Sequence, residues 1–403
     1  MNQKLIIFAP FHYDFEPLSG TSIRIAGYTK AFNELNVDYT FFSPAKPNYV
    51  PFEKYVVCRI NRKLHKIFII HNLLYANVWL RPISYLLRLL LINLSGIKGV
   101  IDEIQDRLIW THQEYTLALF LYFVYRFPFI YDIHGILELQ REYYQDLSKY
   151  RRLWFYMNLK NEKVVLRFAP YINVVSLRMK KFVEEKYRPM GTILLAPDGV
   201  PDSLWLYEQV KPNILFKNEN GLSGTDKIIM YAGSFKKFGG VTELVKVFLS
   251  HTELNTHAVL LLVGTGQEAK RVNKLIENAS CKNRIFYFRS LAHNELIAYM
   301  KIADAIVCPD LAGNLYNEIT PHIKLYDAIA SGRNVVSTDF EVNKELFNPK
   351  NFNIYYFSYD KKNSFRDALL SALQNEIFTN NNHLLENMTY TMRAKMYMEN
   401  FKS

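Results

Sequence analysis

An α/β fold of two Rossmann-like domains is predicted by three observations. Short apolar runs of strand length alternate with longer segments of helical period, which implies parallel sheets flanked by helices. The alternation occurs twice, and a polar stretch at 208–224 separates the two sets. The length agrees: 403 residues exceed one hydrophobic core and suit two domains of about 200 residues, and 49% hydrophobic content fills both.

The first set opens with an apolar run at 5–8 that Pro10 interrupts, with no small-residue cleavage site, so it reads as a strand rather than a leader. A loop holding Ser19-Gly20-Thr21 leads into a helix through Leu35, and strands are expected at 39–42, 108–110, 129–133 and 172–175. Leu194-Leu195-Ala196-Pro197-Asp198-Gly199-Val200 reads as a strand entering a turn. The second set has strands at 228–231, 258–263, 284–288, 305–308 and 334–337. The expected domains are therefore 1–210 and 211–383, with a helix over 384–403 crossing back to the first. The longest apolar stretches, 86–92 and 116–125, fall short of the roughly 20 residues that a membrane span needs. Cys58, Cys281 and Cys308 lie too far apart for a zinc site or a disulfide framework, which points to a reducing cytoplasm.

The net charge of +11 is concentrated, because residues 141–188 hold 12 Lys/Arg against 5 Asp/Glu, or +7. On a helical wheel Lys149, Arg152, Lys160, Lys163 and Arg167 share an arc of about 80°, while Leu147, Tyr150, Trp154, Met157 and Phe168 gather on another side. A basic stripe of this kind suits anionic lipid headgroups at the inner face of a membrane, or nucleic-acid phosphates; it also reads as a solvated face. The absence of a reader motif with base-facing aromatics weighs against nucleic acid.

Motifs concentrate in the second half. Thr320 is the expected N-cap of a short helix with Pro321 at its first position, and Gly332 ends it before a buried strand. Lys324 and Asp327, three residues apart, share one face: an ammonium in the first turn, where helix amides already favour an anion, and a carboxylate one turn on. That layout suits a nucleotide diphosphate and a ribose diol, and equally a surface Lys/Asp pair. Gly264-Thr265-Gly266 follows a buried strand and opens a helix, so backbone can approach closely there. Tyr231-Ala-Gly-Ser-Phe-Lys-Lys-Phe-Gly-Gly240 is another strand-to-helix turn, with Lys236 and Lys237 able to surround phosphate oxygens; lacking Gly-Lys-Ser/Thr, it is not an ATPase P-loop.

In this order of elements, residues 227–349 resemble the donor-binding domain of retaining glycosyltransferases of the family 4 type, which have the GT-B architecture of two Rossmann-like domains facing a central cleft. The resemblance extends to Pro197-Asp198-Gly199-Val200, Val174-Val175-Ser176, Asp132-Ile133-His134 and the Gly20 loop. It implies a nucleotide-sugar donor held by Gly20, Ser234, Lys236, Lys237, Gly264, Lys324, Leu325 and Asp327. Lys237 and Lys324 would neutralise the diphosphate from two sides, Asp327 would hold the ribose, and Gly20 would admit a phosphate. His134 would face the transferred sugar, and Glu318 would be the first acid of the family's two-acid motif. The chain departs from the family in four places: Asp327 stands for the usual Glu, eight residues rather than seven separate it from Glu318, Ser234 replaces an arginine, and Asp198 replaces an Asn.

The expected reaction is retaining transfer of a sugar to a saccharide or lipid-linked saccharide in bacterial-type surface glycan synthesis, with the domains closing over the cleft to exclude water. With no Asp-x-Asp motif, neither a metal nor another cofactor is expected. Two other readings compete: a sugar-nucleotide epimerase-like enzyme, active without acceptor, and a non-catalytic scaffold that binds membrane or nucleic acid through the basic helix.

Overall fold

The computed structural model describes residues 5–8, 20–43, 55–57, 62–85, 87, 107–112, 115–133, 135–144, 148–200, 213–291, 293–376 and 382–399. Contacts divide the chain into two compact units, Met1–Asp198 with Tyr390–Ser403, and Gly199–Thr389.

The first unit runs β1 (Leu5–Phe8), α1 (Gly20–Glu34), β2 (Tyr39–Ser43), β3 (Tyr55–Val57), α2 (Arg62–Ala76), β4 (Leu108–His112), α3 (Tyr115–Tyr125), β5 (Phe129–Asp132), α4 (Lys149–Phe168), β6 (Tyr171–Val174), α5 (Leu177–Tyr187) and β7 (Thr192–Leu195), with 3₁₀ turns at Val78–Leu80 and Leu137–Tyr144. Among the described residues, seven strands form a parallel sheet in the order β3-β2-β1-β4-β5-β6-β7. Helices cover both faces, so the strands are apolar on both. Ile6, Ile109 and Tyr131 enter one core, and Leu5, Ile7, Trp110 and Ile130 the other.

The second unit runs α6 (Asn213–Glu219), β8 (Lys227–Ala232), α7 (Val241–Ser250), α8 (Thr252–His257), β9 (Ala258–Val263), α9 (Ala269–Glu277), a 3₁₀ turn (Lys282–Arg284), β10 (Ile285–Phe288), α10 (His293–Ile302), β11 (Ala305–Cys308), α11 (Leu315–Ile319), α12 (Ile323–Ala330), β12 (Asn334–Thr338), α13 (Glu341–Leu346), β13 (Ile354–Phe357), α14 (Ser364–Gln374) and α15 (Asn382–Glu386). Six parallel strands follow the order β10-β9-β8-β11-β12-β13. Along β8, Ile228 and Met230 fill one core while Ile229 and Tyr231 fill the opposite one.

The edge strands β3 and β13 were not expected from the pattern. The expected boundary at 210 lies in 201–212, outside the described residues; the contact division falls at Asp198, because Val200 already bridges Thr389 and donates to Met388 within the second unit. The tail, expected as one helix over 384–403, forms two. Leu385 and Met388 pack in the second unit's core, and α16 (Tyr390–Glu399) packs on α1 of the first. There the Tyr28 and Tyr390 rings meet edge to face at 5.4 Å, and the Tyr397 hydroxyl donates to Asn173 at 3.0 Å. Among the described residues, no helix is long and apolar enough to cross a membrane.

Candidate functional site

In the second unit the chain leaves β8 toward β9 on one side and later places β11 on the other, so the sheet has a topological switch point between β8 and β11. Loops from the two strands' carboxyl ends part there and open a crevice. A charge cluster occupies it. The Lys324 ammonium, in the first turn of α12, donates to Asp310 at 2.7 Å and lies 5.3 Å from the centre of the Tyr231 ring. Burial opposes the ammonium's charge, but Asp310 outweighs it and holds the pKa above the ordinary lysine value. Lys236 is shifted the other way, by desolvation and then by the charge of Lys324. Two ammoniums thus face one carboxylate, which leaves an excess positive charge where the strands end.

His322, at the N-cap of α12, is part of the same cluster. Both amide N–H groups of Asn317 are engaged by the carbonyls of Phe238 and Leu311, at 3.2 and 3.0 Å. The Asn317 oxygen therefore turns to His322 Nε2, 3.0 Å away, which must be the protonated nitrogen of a neutral ring. Burial first, then the charges of Lys324 and Lys236, push the imidazole pKa down to about 4 against the pull of Asp310.

The two glycine turns form one continuous structure. Past the strand ends the pairing continues, with Gly233 N–H donating to Val263, Phe235 to Thr265 and Glu268 to Phe235. Gly264 has φ of 145°, and a Cβ there would lie 1.9 Å from the Gly233 carbonyl oxygen, so close approach of two backbones requires this glycine. Gly233 itself, at φ 149°, faces the Lys324 side chain.

The other expected donor residues are placed as follows. Ser234 is exposed, and its carbonyl accepts from the Tyr231 hydroxyl at 3.1 Å. Lys236 joins the charge cluster and, together with Lys237, also lines a hollow of about 240 Å³ with Glu243, Glu268 and Arg271 at the start of α7. Asp327 is half-buried one turn beyond Lys324, as the spacing predicts. The Leu325 side chain is packed in the core beneath α12, which leaves its backbone to meet a ligand. Thr320, expected as the N-cap of α12, is corrected. It closes α11, donating its N–H to Tyr316, because Asn314 caps a separate short helix there, so α12 starts later with His322 at its N-cap. Glu318 lies on α11, and its carboxylate accepts from Gly313 N–H at 3.2 Å. Gly20 opens α1, and His134 lies outside the described residues.

Sequence reasoning missed Asp310, His322 and Asn317. The available signal was a carboxylate two residues after the buried run Ala305–Cys308, at the carboxyl end of a strand, as the glycine turns are. It also missed a buried network at the carboxyl end of the first sheet. Arg24 donates to both oxygens of Asp132 at 3.1 and 3.0 Å, to Asp198 at 2.9 Å and to the Ala196 carbonyl at 2.7 Å. His112 Nδ1 lies 2.8 Å from Asp132. The acid at position 198 is thereby explained, since it balances a guanidinium that is wholly buried.

On α4, Lys149, Arg152 and Lys160 are exposed and form no ion pair among the described residues, whereas Lys163 approaches Glu138 at 3.6 Å and Arg167 donates to the Arg188 carbonyl. The apolar side holds in part: Phe168 packs on the core and Trp154 and Met157 are half-buried, but Tyr150 is 61% exposed, because burial is shifted round the helix toward Leu159, Val165 and Leu166. Leu147 lies outside the described residues.

Residues 213–393 match the family model described as glycosyl transferases group 1. No curated protein matches the sequence. Among solved structures, the chain is similar to sucrose-phosphate synthase from Thermosynechococcus elongatus, with a TM-score of 0.70 and 16% identity over 99% of this chain and 98% of that one. It is also similar to the Anabaena HepE protein in complex with UDP and glucose, with a TM-score of 0.66 and 13% identity over the whole of both chains. WaaG, a glycosyltransferase involved in lipopolysaccharide biosynthesis, gives a TM-score of 0.64 and 12% identity over 98% of this chain and 95% of that one. At these identities the likeness shows the fold, GT-B.

Proposed function

We propose that the chain is a nucleotide-sugar glycosyltransferase of the group 1 kind, and on that premise its crevice is read from the donor inward. The observation that carries the reading is the paired ammoniums of Lys324 and Lys236 at the β8/β11 switch point, with Asp327 one helical turn behind. Transfer releases a diphosphate with new negative charge, and fixed cations at that point stabilise the departing group most. Asp310 engages one of three N–H donors on Lys324 and holds the ammonium in position before the donor arrives. The first-turn amides of α12 add partial positive charge. Asp327 accepts from the ribose hydroxyls, while Gly233, without a side chain, leaves room beside Lys324.

The HepE and WaaG likenesses support a uridine diphosphate sugar as donor and a saccharide or lipid-linked saccharide of surface glycan synthesis as acceptor. Transfer proceeds with retention and without a divalent cation, the lysines standing where a metal would otherwise balance the diphosphate; Glu318 and His134 attend the sugar.

A thermal-shift panel of the purified chain against UDP, GDP, ADP, CMP and their sugar conjugates, with and without EDTA, tests the reading. A ligand at 100 times its Kd stabilises by about 2.7 kcal/mol. A selective shift by one diphosphate that survives EDTA is expected. No shift from any nucleotide would refute the reading, and loss of the shift in EDTA would refute its metal independence.

A further inference from the structure

The exposed face of α4 separates into two halves of different character. In the carboxyl-terminal half, Lys163 and Arg167 are engaged by Glu138 and by the Arg188 carbonyl. Over the stretch 149–160, Lys149, Arg152 and Lys160 project without ion pairs among the described residues, and two exposed apolar side chains fall between them in sequence, Leu153 at 56% and Tyr156 at 51% exposure. At 100° per residue these five positions fall within about 100°, with Tyr156 inside the arc of the cations, Leu153 about 20° beyond its edge, and no acid among them. Solvent exposure of large apolar groups within and beside a cationic face is unfavourable in water. It is the composition of a helix that lies in a lipid interface, with cations at the headgroups and apolar groups below them.

We propose that the stretch 149–160 of α4, through Lys149, Arg152, Leu153, Tyr156 and Lys160, docks the protein on an anionic bilayer. The occupant follows from charge and polarity together. A polyanion such as a nucleic acid satisfies the three cations but gives Leu153 and Tyr156 nothing to enter, whereas an anionic bilayer satisfies both. Position adds a reason. Between two parallel strands a connecting helix runs back along the sheet, so α4, between β5 and β6, starts at the sheet's carboxyl edge, where β5 ends and the Arg24 network lies. The docked face thus sits beside the edge where parallel α/β sheets bind their ligands. The docking does not depend on the transferase reading.

Co-sedimentation of the full chain with phosphatidylglycerol/phosphatidylcholine vesicles and with pure phosphatidylcholine vesicles, at physiological salt, tests the proposal. Binding to the anionic vesicles alone is expected. Lys149→Glu/Arg152→Glu/Lys160→Glu should weaken it at least about hundredfold, since each cation near the surface contributes about a factor of five. Leu153→Ser/Tyr156→Ser, which leaves every charge in place, should weaken it about tenfold. Lys270→Glu/Lys274→Glu, a reversal on the second unit, should leave it within about twofold. All three variants should keep the wild-type far-UV dichroism and nucleotide thermal shift, which separates loss of docking from loss of fold or of donor binding. Equal binding of Leu153→Ser/Tyr156→Ser and wild type overturns the proposal, as does displacement from vesicles by stoichiometric duplex DNA, which would make the face a polyanion site.

Discussion

Replacing Lys324 by methionine removes a charge at nearly constant volume and tests fold and site separately. At 2.7 Å and an effective dielectric constant near 20, the Lys324–Asp310 attraction is about 6 kcal/mol gross, and desolvation of two largely buried groups takes back much of it. Removing one partner of a buried pair costs about 3 to 5 kcal/mol, because the other charge stays buried. Here Lys236 remains nearby to offset part of that, so Lys324→Met should lower the stability of the second unit by about 2 to 3 kcal/mol in urea unfolding. Asp310→Asn/Lys324→Met, which leaves neither charge, should return to within about 1 kcal/mol of the native chain. Nucleotide affinity should behave differently. By calorimetry both variants lacking Lys324 should bind UDP at least about tenfold more weakly, and Asp310→Asn alone, whose ammonium has lost its competitor, should bind it at least as tightly as the native chain. Additive destabilisation in the double variant would refute the buried pair. An unchanged Kd for UDP in Lys324→Met would refute the phosphate role.

Three further outcomes follow from the geometry. The His322 imidazole has a folded pKa near 4, below its ordinary 6.5, so the unfolded chain binds the proton first; stability should fall by about 3 kcal/mol as pH drops through that window, and His322→Gln should flatten the loss in pH-dependent urea titrations. Glu162, buried with Leu137 N–H and the Tyr131 hydroxyl donating to it, has its pKa raised by burial to about 8. The folded state therefore holds a proton that the unfolded chain releases above its ordinary value, stability is lost as pH rises from about 4.5 to 8, and Glu162→Gln should gain at least about 2 kcal/mol relative to the native chain between the two ends of that range. At Gly27 an added Cβ would meet the Tyr390 ring at 2.4 Å, so Gly27→Ala, ordinarily favourable within a helix, should destabilise by about 1 to 3 kcal/mol and speed proteolysis of the α16 tail.

Much of the fold was legible because its signals are local. Apolar runs such as Ala258–Val263 and Ala305–Cys308 mark buried parallel strands wherever they occur, and both are strands in the structure. The edge strands escaped because three or four residues such as Tyr55–Val57 carry too little pattern to separate them from a loop. Helix caps failed where two solutions were locally equivalent. Thr320 before Pro321 has the composition of an N-cap, but the preceding residues form a helix of their own and take Thr320 as its end.

For the site, the chain by itself determined that Lys324 and Asp327 share one helical face and that a glycine turn follows each of two apolar strands, since each of these facts depends on residues within a few positions of one another. Only the tertiary structure decided which lysine joins the charge cluster, that Asp310 holds Lys324 across 14 positions, and that Arg24 is balanced by acids 108 and 174 positions away. Charges have long reach and no periodicity. Their partners are fixed by which strand ends the sheet order makes neighbours, and that order is set by the packing of the whole unit.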